Sequence, residues 1–151
     1  MSTQNVVDSS GWLEYFAGST RARLFAPAIE APDRLIVPVV VLYEVVKKVR
    51  RERGEAAALE AAGVLRSGRI VDVDIATAID AAQLDLPMAD SLIYAIARRA
   101  GATLWTQDED FASLQGVKYF RKKEATRNRR GRTGGNAAAG IVAPRDHVRV
   151  P

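Results

Sequence analysis

One segment decides the architecture of this chain: Ala102-Thr103-Leu104-Trp105-Thr106-Gln107-Asp108-Glu109-Asp110-Phe111. Its first half is a short run with a continuous apolar centre, which is typical of a strand buried on both faces of a sheet. Asp108 and Asp110 follow directly, where such a strand would end. Ligands of open α/β sheets bind beyond the carboxyl ends of the strands, so these two acids mark a candidate functional edge.

Four further short apolar runs are predicted strands, at residues 5–8, 34–38, 69–73 and 117–120. Helical patterns separate them, at residues 12–16, 38–53, 55–66, 75–82 and 89–100. The clearest is an apolar stripe formed by Val41, Leu42, Val45, Val46 and Val49. Strands that alternate with helices at this spacing predict an α/β fold, a three-layer α/β/α sandwich with a central parallel sheet of about five strands.

The composition is that of an ordinary globular protein. The 151 residues fit one domain, with 48% apolar and 26% charged residues. The chain has no cysteine, which fits a reducing cytoplasm. Its first twenty residues lack a signal-peptide pattern, and no apolar stretch approaches the ~20 residues that cross a bilayer. We therefore expect a soluble cytoplasmic protein with no membrane association.

The net charge of +4 is unevenly distributed. Residues 1–120 carry 13 Lys and Arg against 16 Asp and Glu, a net charge of −3, whereas residues 121–151 carry 9 against 2, a net charge of +7. The second part begins with a mostly basic run that an Ala- and Gly-rich stretch follows. We expect a folded domain over residues 1–120 and a flexible basic tail over residues 121–151.

Four acids occupy positions that a parallel sheet would bring to one edge. Asp8 ends the first strand, and Glu44 lies about two turns into the helix after the second strand. Asp90 opens the helix before the fourth strand, and Asp108 follows that strand. A cluster of acids is costly to fold unless a divalent cation neutralises it. Carboxylate oxygens suit Mg²⁺ or Mn²⁺, and the chain offers no cysteine and a single histidine for a zinc site.

Each acid also has an ordinary structural explanation. Asp90 would cap its helix, and Glu44 would form a surface ion pair with a neighbouring lysine. Residues 108–110 would form an exposed acidic turn. The convergence of all four acids on one edge, rather than any one of them, favours a shared site.

Four segments carry a family resemblance: Val6-Val7-Asp8-Ser9-Ser10, Tyr43-Glu44-Val45, Ala89-Asp90-Ser91-Leu92-Ile93 and Leu104-Trp105-Thr106-Gln107-Asp108-Glu109-Asp110-Phe111. In order and spacing they resemble the successive motifs of PIN-domain ribonucleases, and most closely the VapC-type toxins of bacterial and archaeal toxin–antitoxin pairs. The resemblance covers residues 4–120. Its most specific part is the Thr-x-Asp-x-Asp-Phe pattern of the last segment.

The resemblance implies a metal-dependent endoribonuclease. The family's acidic quartet and a frequent additional catalytic acid correspond here to Asp8, Glu44, Asp90, Asp108 and Asp110. Of these, Asp8, Asp90 and Asp108 are the expected metal ligands. One or two Mg²⁺ or Mn²⁺ ions would activate a water that hydrolyses an RNA phosphodiester and leaves a 5′-phosphate and a 3′-hydroxyl.

Further expectations come from the same resemblance. Ser9 and Thr106 match small hydroxyl residues that line the pocket. A cognate antitoxin is implied, with a helix laid in an apolar groove between the helices after the second and third strands, and a homodimer is expected. The stripe from Val41 to Val49 could serve that groove, although packing on the sheet is the favoured role for it.

An acidic site also needs nearby cations to attract phosphate groups. The candidates for RNA contact are Arg98 and the start of the basic tail, Arg121, Lys122 and Lys123. The alternative is that Arg98 belongs to a solvated helix face and that the tail serves solubility.

Three other functions are compatible with parts of the pattern. A PIN-like module that binds RNA or protein without cleavage would share the fold, and a nuclease assay separates the two. A receiver-type signalling domain needs paired acids after the first strand and a lysine at the end of the fifth, where this chain has Ser9 and Phe120. A phosphatase with an Asp nucleophile needs a second acid two residues after Asp8, and Ser10 stands there.

Overall fold

The fold is a five-stranded parallel sheet covered by helices, and the computed structural model describes residues 3–122. The strands are β1 (Asn5–Val7), β2 (Leu35–Pro38), β3 (Arg69–Val71), β4 (Thr103–Thr106) and β5 (Val117–Tyr119). The helices are α1 (Ser9–Ala17), α2 (Ala22–Ile29), α3 (Val39–Arg53), α4 (Glu55–Leu65), α5 (Ile75–Ala82) and α6 (Met88–Arg99). Short 3₁₀ turns lie at Pro32–Arg34 and Glu109–Phe111. The predicted α/β/α sandwich is confirmed.

The three central strands are apolar on both faces, which is why they can lie inside the sheet. Val6, Val7 and Leu104 have no exposed surface. Burying one such side chain fully contributes about 1.5–3 kcal/mol. The edge strands β3 and β5 are less apolar and each carries an exposed cation, Arg69 and Lys118 respectively. Strand composition therefore matches strand position.

The strand order β3-β2-β1-β4-β5 creates a switch point in the middle of the sheet. The chain runs outward from β1 to β3 and then crosses back to place β4 on the other side of β1. At the carboxyl ends of these neighbours, Val7 pairs with Trp105 in parallel register. A crevice forms beyond the strand ends where connections leave in opposite directions, and ligands bind there in open α/β sheets.

The helices pack through the faces that the sequence pattern predicts. Val41, Val45 and Val49 of α3 are buried. Gly54 ends that helix with a φ of 88°, a conformation that residues with a side chain rarely adopt. Core packing is therefore the role of Val41, Val45 and Val49, whereas Leu42 and Val46 of the predicted stripe are only partly buried.

One helix, α2, was absent from the sequence prediction. It contains Pro27, and no side chain hydrogen-bonds its first turn. Its buried face, Phe25, Ala28 and Ile29, nevertheless has helical spacing. Pro27 has no N–H and so removes one backbone hydrogen bond from this short helix. The buried face is nevertheless formed.

The predicted basic tail falls almost entirely on residues 123–151, which lie outside the described residues and include Lys123. Across residues 3–122, no helix combines the length and apolar character that spanning a membrane requires.

Candidate active site

Five acids meet beyond the carboxyl ends of β1 and β4. Asp8 directly follows β1 and caps α1, while Asp108 lies two residues after β4 and caps the 3₁₀ turn that contains Asp110. Asp90 comes from the first turn of α6. Glu44 comes from the second turn of α3. The switch point of the sheet thus collects acids from four separate elements.

Asp8 is held rigidly at the bottom of this site. It is 5% exposed, and its Oδ1 accepts hydrogen bonds from Ser10 Oγ at 2.9 Å and from Gly11 N at 3.1 Å. Its Oδ2 accepts from Thr106 Oγ1 at 2.6 Å. Burial raises the pKa of Asp8, while these hydrogen bonds lower it and the nearby charge of Asp108 raises it further.

Thr106 joins the first acid to the loop that carries the others. Its hydroxyl donates to Asp8 and accepts from the Asp108 backbone N–H at 3.0 Å. The side chain is completely buried at the end of β4. A hydroxyl can donate and accept at once, which is what this position requires.

Three of the acids lie close enough to share one cation. A carboxylate oxygen from each of Asp90, Asp108 and Asp110 lies within 4.8 Å of the other two. Asp108 Oδ1 accepts a hydrogen bond from the Asp110 backbone N–H at 3.0 Å, which fixes the turn between these two acids. The trio opens towards solvent, since Asp110 is exposed and the other two are half-buried.

The electrostatic cost of the cluster is concentrated on Asp90. The pKa of Asp90 is raised to about 7, first by burial and then by the negative charges of the four other acids, in the order Asp108, Glu44, Asp8 and Asp110. The carboxyl group of Asp90 is therefore about half protonated near neutral pH in the metal-free protein. The negative charges of these neighbouring carboxylates favour the binding of a cation.

Glu44 is positioned by the residue that follows Asp8. Ser9 Oγ donates a hydrogen bond of 2.6 Å to Glu44 Oε1 across a sequence separation of 35 residues. The ion pair with a neighbouring lysine is not formed, because Lys48 pairs with Glu52 and Lys47 hydrogen-bonds Tyr43. Glu44 is half-buried and adds to the charge on Asp90.

The donor set fits a hard divalent cation. The grouped atoms are carboxylate oxygens, which Mg²⁺ and Mn²⁺ prefer, and among residues 3–122 neither cysteine nor histidine occurs. Three carboxylates with oxygens within 4.8 Å of one another would repel at neutral pH without such an ion.

A cavity of about 510 Å³ opens beside the trio. Its lining contains three acids and one cation, together with three uncharged residues: Asp108, Glu109, Asp110, Lys122, Ser10, Gln107 and Tyr119. The small hydroxyl residue that lines this cavity is Ser10, and neither Ser9 nor Thr106 is among the lining residues. Those two instead hold Glu44 and Asp8 in position.

The structure places the candidate RNA contacts Arg98, Arg121 and Lys122 at different positions relative to the acids. Lys122 lines the acidic cavity, and Arg121 lines a neighbouring groove. Arg98 is not brought to the acids. Its guanidinium packs against Gly116, which precedes β5 at the amino-terminal edge of the sheet. A helical rise of about 1.5 Å per residue puts it roughly 12 Å from Asp90 along α6.

Sequence reasoning missed a buried polar network beside the acids. Gln107 is 3% exposed, accepts from Arg21 Nε at 2.6 Å and donates to Glu14 Oε1 at 3.3 Å. Arg21 also donates to the Phe120 carbonyl at 3.0 Å. The sequence hint was a polar residue, Gln107, between two site residues, but its partner lies 86 positions away.

Solved structures with the same fold include toxins of toxin–antitoxin pairs. A toxin–antitoxin complex from Klebsiella pneumoniae superposes with a TM-score of 0.64 at 20% identity, covering 78% of this chain and 96% of that one. VapC20 of Mycobacterium tuberculosis, a toxin that cleaves the sarcin–ricin loop, gives 0.63 at 24% identity, with 76% and 97% covered. VapBC2 from Rickettsia felis, bound to promoter DNA, gives 0.62 at 13% identity, with 78% and 98% covered.

These structural likenesses are at low identity and establish the shared fold. No curated protein matches the sequence significantly. The family model for the PIN domain matches residues 6–117, which is most of the chain and includes all five acids of the site. On that match, the chain belongs to the PIN-domain family.

Proposed function

We propose that this protein is a Mg²⁺- or Mn²⁺-dependent endoribonuclease that acts as the toxin of a type II toxin–antitoxin pair. One observation carries the proposal: in a PIN fold, three acids offer oxygens within 4.8 Å of one another at the switch point of the sheet. Such a cluster of negative charge stabilises a bound divalent cation.

Asp90 and Asp108 are the proposed centre of the metal site. The sequence prediction grouped them with Asp8, and the geometry groups them with Asp110. Asp8 lies outside this trio, and we assign it to the inner wall of the site, where its charge acts on Asp108 and Asp90. A bound divalent ion supplies a water of lowered pKa and stabilises negative charge on the phosphodiester.

Other residues of the site hold the acids in position. Ser9 holds Glu44 beside Asp90, and Thr106 keeps Asp8 and the Asp108 loop in fixed relation. In the metal-free protein the pKa of Asp90 is raised to about 7, so the binding of a divalent cation to this carboxyl group would displace a proton near neutral pH. Lys122 lines the same cavity as Asp108 and Asp110 and can neutralise a substrate phosphate. As in the family, the products carry a 5′-phosphate and a 3′-hydroxyl.

An antitoxin is the proposed protein partner. Support comes from the fold shared with toxin–antitoxin complexes. The groove was expected between the helices after the second and third strands, but the apolar groove that offers a surface for a helix lies between α3 and α4, which both follow β2. It has a volume of about 520 Å³ and is walled by Leu42, Val46 and Ala62 among others. A homodimer and a cytoplasmic location remain predictions. Co-expression with the product of the adjacent reading frame tests the partner: inhibition of the nuclease is expected.

The direct test is RNA cleavage by purified protein in Mg²⁺ and in EDTA. We expect cleavage with Mg²⁺ alone. Asp90→Asn should lower the rate by more than 100-fold, beyond the roughly 10- to 100-fold that loss of an outer-shell partner costs. Asp33→Asn is the matched control. Asp33 is exposed in the turn before β2, at the amino-terminal edge of the sheet, whereas the acids lie beyond the carboxyl ends of the strands.

Two results would contradict the proposal. Cleavage that persists in EDTA, or in folded Asp90→Asn protein, excludes the metal mechanism. RNA binding without cleavage by the unaltered protein would instead identify a binding module.

A further inference from the structure

A second groove, about 810 Å³ in volume, adjoins the acidic cavity. Tyr119 and Lys122 line both depressions, so the two are neighbours with a shared wall. The groove runs between the start of α2 and the residues after β5. It is lined by Glu14, Thr20, Arg21, Arg23, Leu24, Tyr119, Phe120, Arg121 and Lys122.

The charge of this groove is opposite to that of the cavity. Four of its lining residues are cations, Arg21, Arg23, Arg121 and Lys122, against the single acid Glu14. The Glu14 carboxylate is already engaged, because it accepts hydrogen bonds from Ser19 and Gln107. Residues 1–120 carry a net charge of −3, so the four cations of the groove are a local concentration of positive charge.

One cation of the groove is fixed in place before any ligand arrives. Arg21 uses its Nε–H on Gln107 and one Nη2–H on the Phe120 carbonyl. A guanidinium has five N–H donors, so three remain for a ligand. Because its geometry is set by the fold, little side-chain entropy is lost when it binds an anion.

Gln107 connects this cation to the acids. It lies between Thr106, which holds Asp8, and Asp108, whose oxygen belongs to the trio. Arg21 and the acidic loop are therefore held in a fixed relation through a buried side chain that is 3% exposed. A phosphate at Arg21 would be placed at a defined distance from the metal site.

We propose that this groove binds the phosphate backbone of single-stranded RNA on one side of the bond that is cut, with Arg21, Arg23 and Arg121 as the phosphate contacts. The inference rests on the proposed ribonuclease function and extends it to the path of the substrate. A cationic groove with an aromatic wall, here Tyr119, is the usual platform for single strands. Its continuity with an acidic cavity favours a phosphodiester over an acidic peptide.

The test measures RNA affinity at several salt concentrations in a non-cleaving background. Full-length Asp90→Asn protein is titrated into a fluorescein-labelled, unstructured 20-nucleotide RNA. Arg23→Ala, Arg121→Ala and the double variant are compared with Arg66→Ala. All three arginines are exposed, and Arg66 lies before β3 at the opposite edge of the sheet.

We expect each groove substitution to weaken binding by roughly two- to fivefold, as for an exposed ion pair. The slope of log K against log salt should fall by about 0.7 per lost phosphate contact. Arg66→Ala should change neither. Thermal unfolding of each variant checks that the fold is retained.

The outcomes separate this inference from the function on which it rests. If the unaltered protein cleaves RNA but the groove variants bind like Arg66→Ala, the groove is not the RNA path and the nuclease stands. If it cleaves no RNA but the groove variants lose affinity, the groove stands without the nuclease. Unchanged affinity and slope in the double variant overturn the inference, and would leave an acidic protein segment as the candidate occupant.

Discussion

The inner wall and the rim of the site are both acidic, yet they are built in opposite ways. The inner wall, Asp8, is buried and accepts three hydrogen bonds from Ser10, Gly11 and Thr106. The rim, the trio of Asp90, Asp108 and Asp110, is half-buried to exposed. At the rim, the pKa of Asp90 is governed by burial and by neighbouring negative charge. At Asp8, hydrogen bonds offset part of the burial that raises its pKa, whereas at the rim burial and neighbouring negative charges raise the pKa of Asp90, so the rim is stabilised by the cation that binds to it.

The largest expected effect on stability separates these two roles. Asp8→Ala removes a helix cap, worth about 1 kcal/mol, and leaves the buried Thr106 hydroxyl without its acceptor, at about 1–3 kcal/mol. A loss of about 2–4 kcal/mol is expected in metal-free protein by chemical denaturation. Asp90→Ala should be neutral or stabilising under the same conditions. Equal destabilisation by both substitutions would remove the distinction.

Added Mg²⁺ should stabilise the protein through the rim. At a concentration one hundred times its dissociation constant, an ion that binds only the folded state contributes about 2.7 kcal/mol. We expect a rise in melting temperature on Mg²⁺ titration for the unaltered chain and for Asp33→Asn, and none for Asp90→Asn. A full Mg²⁺ response in Asp90→Asn protein would place the ion elsewhere.

The pH dependence of stability should also come from the rim. The folded pKa of Asp90 is about 7, above the ordinary value of 3.8, so the folded state binds this proton more tightly than the unfolded state. Its stabilising contribution is complete below pH 3.8 and is lost as the pH rises through about 7. The full shift would be worth about 4 kcal/mol, and solvent screening of a half-buried group reduces this to about 1–2 kcal/mol.

Denaturant unfolding in EDTA at pH 5 and pH 8 measures this effect. The difference between the unaltered chain and Asp90→Asn isolates the contribution of Asp90, because the other titrating groups are common to both. A difference that does not change between the two pH values would show that Asp90 titrates near its ordinary pKa.

The smallest effect should come from Ser9→Ala, which breaks the hydrogen bond to Glu44. A loss of at most about 1 kcal/mol is expected, because the contact is only partly buried. Cleavage should fall more, by about tenfold, since Glu44 is no longer held beside Asp90. Ser67→Ala, which breaks an exposed hydroxyl contact to Val64, is the matched control and should leave cleavage unchanged.

The sheet could be predicted from sequence because its strands carry their own signal. All five predicted runs overlap the observed strands, with ends that differ by at most two residues. A continuous apolar run such as residues 102–106 has few alternatives to a buried strand. Helix α2 was missed because Pro27 stands in its second half, while its packing depends on the tertiary contacts of Phe25.

The convergence of the acids was also predictable, because each stands at a strand or helix end that topology brings together. The side-chain contacts between residues far apart in sequence could not be predicted. Arg98 was a candidate RNA contact, yet α6 carries it towards the amino-terminal edge of the sheet, eight residues beyond Asp90. The pairing of Arg21 with Gln107 depends on how α2 meets the end of β4, which no local pattern encodes.

The hydrogen bond between Asp8 and Thr106 has a consequence for the order of events during synthesis. The two residues are 98 positions apart, and β1 lacks one of its two neighbours until β4 exists. At about 5–20 residues per second, a ribosome needs on the order of 5–20 seconds to translate that interval. The acid site therefore cannot assemble on a nascent chain until most of the domain has been made.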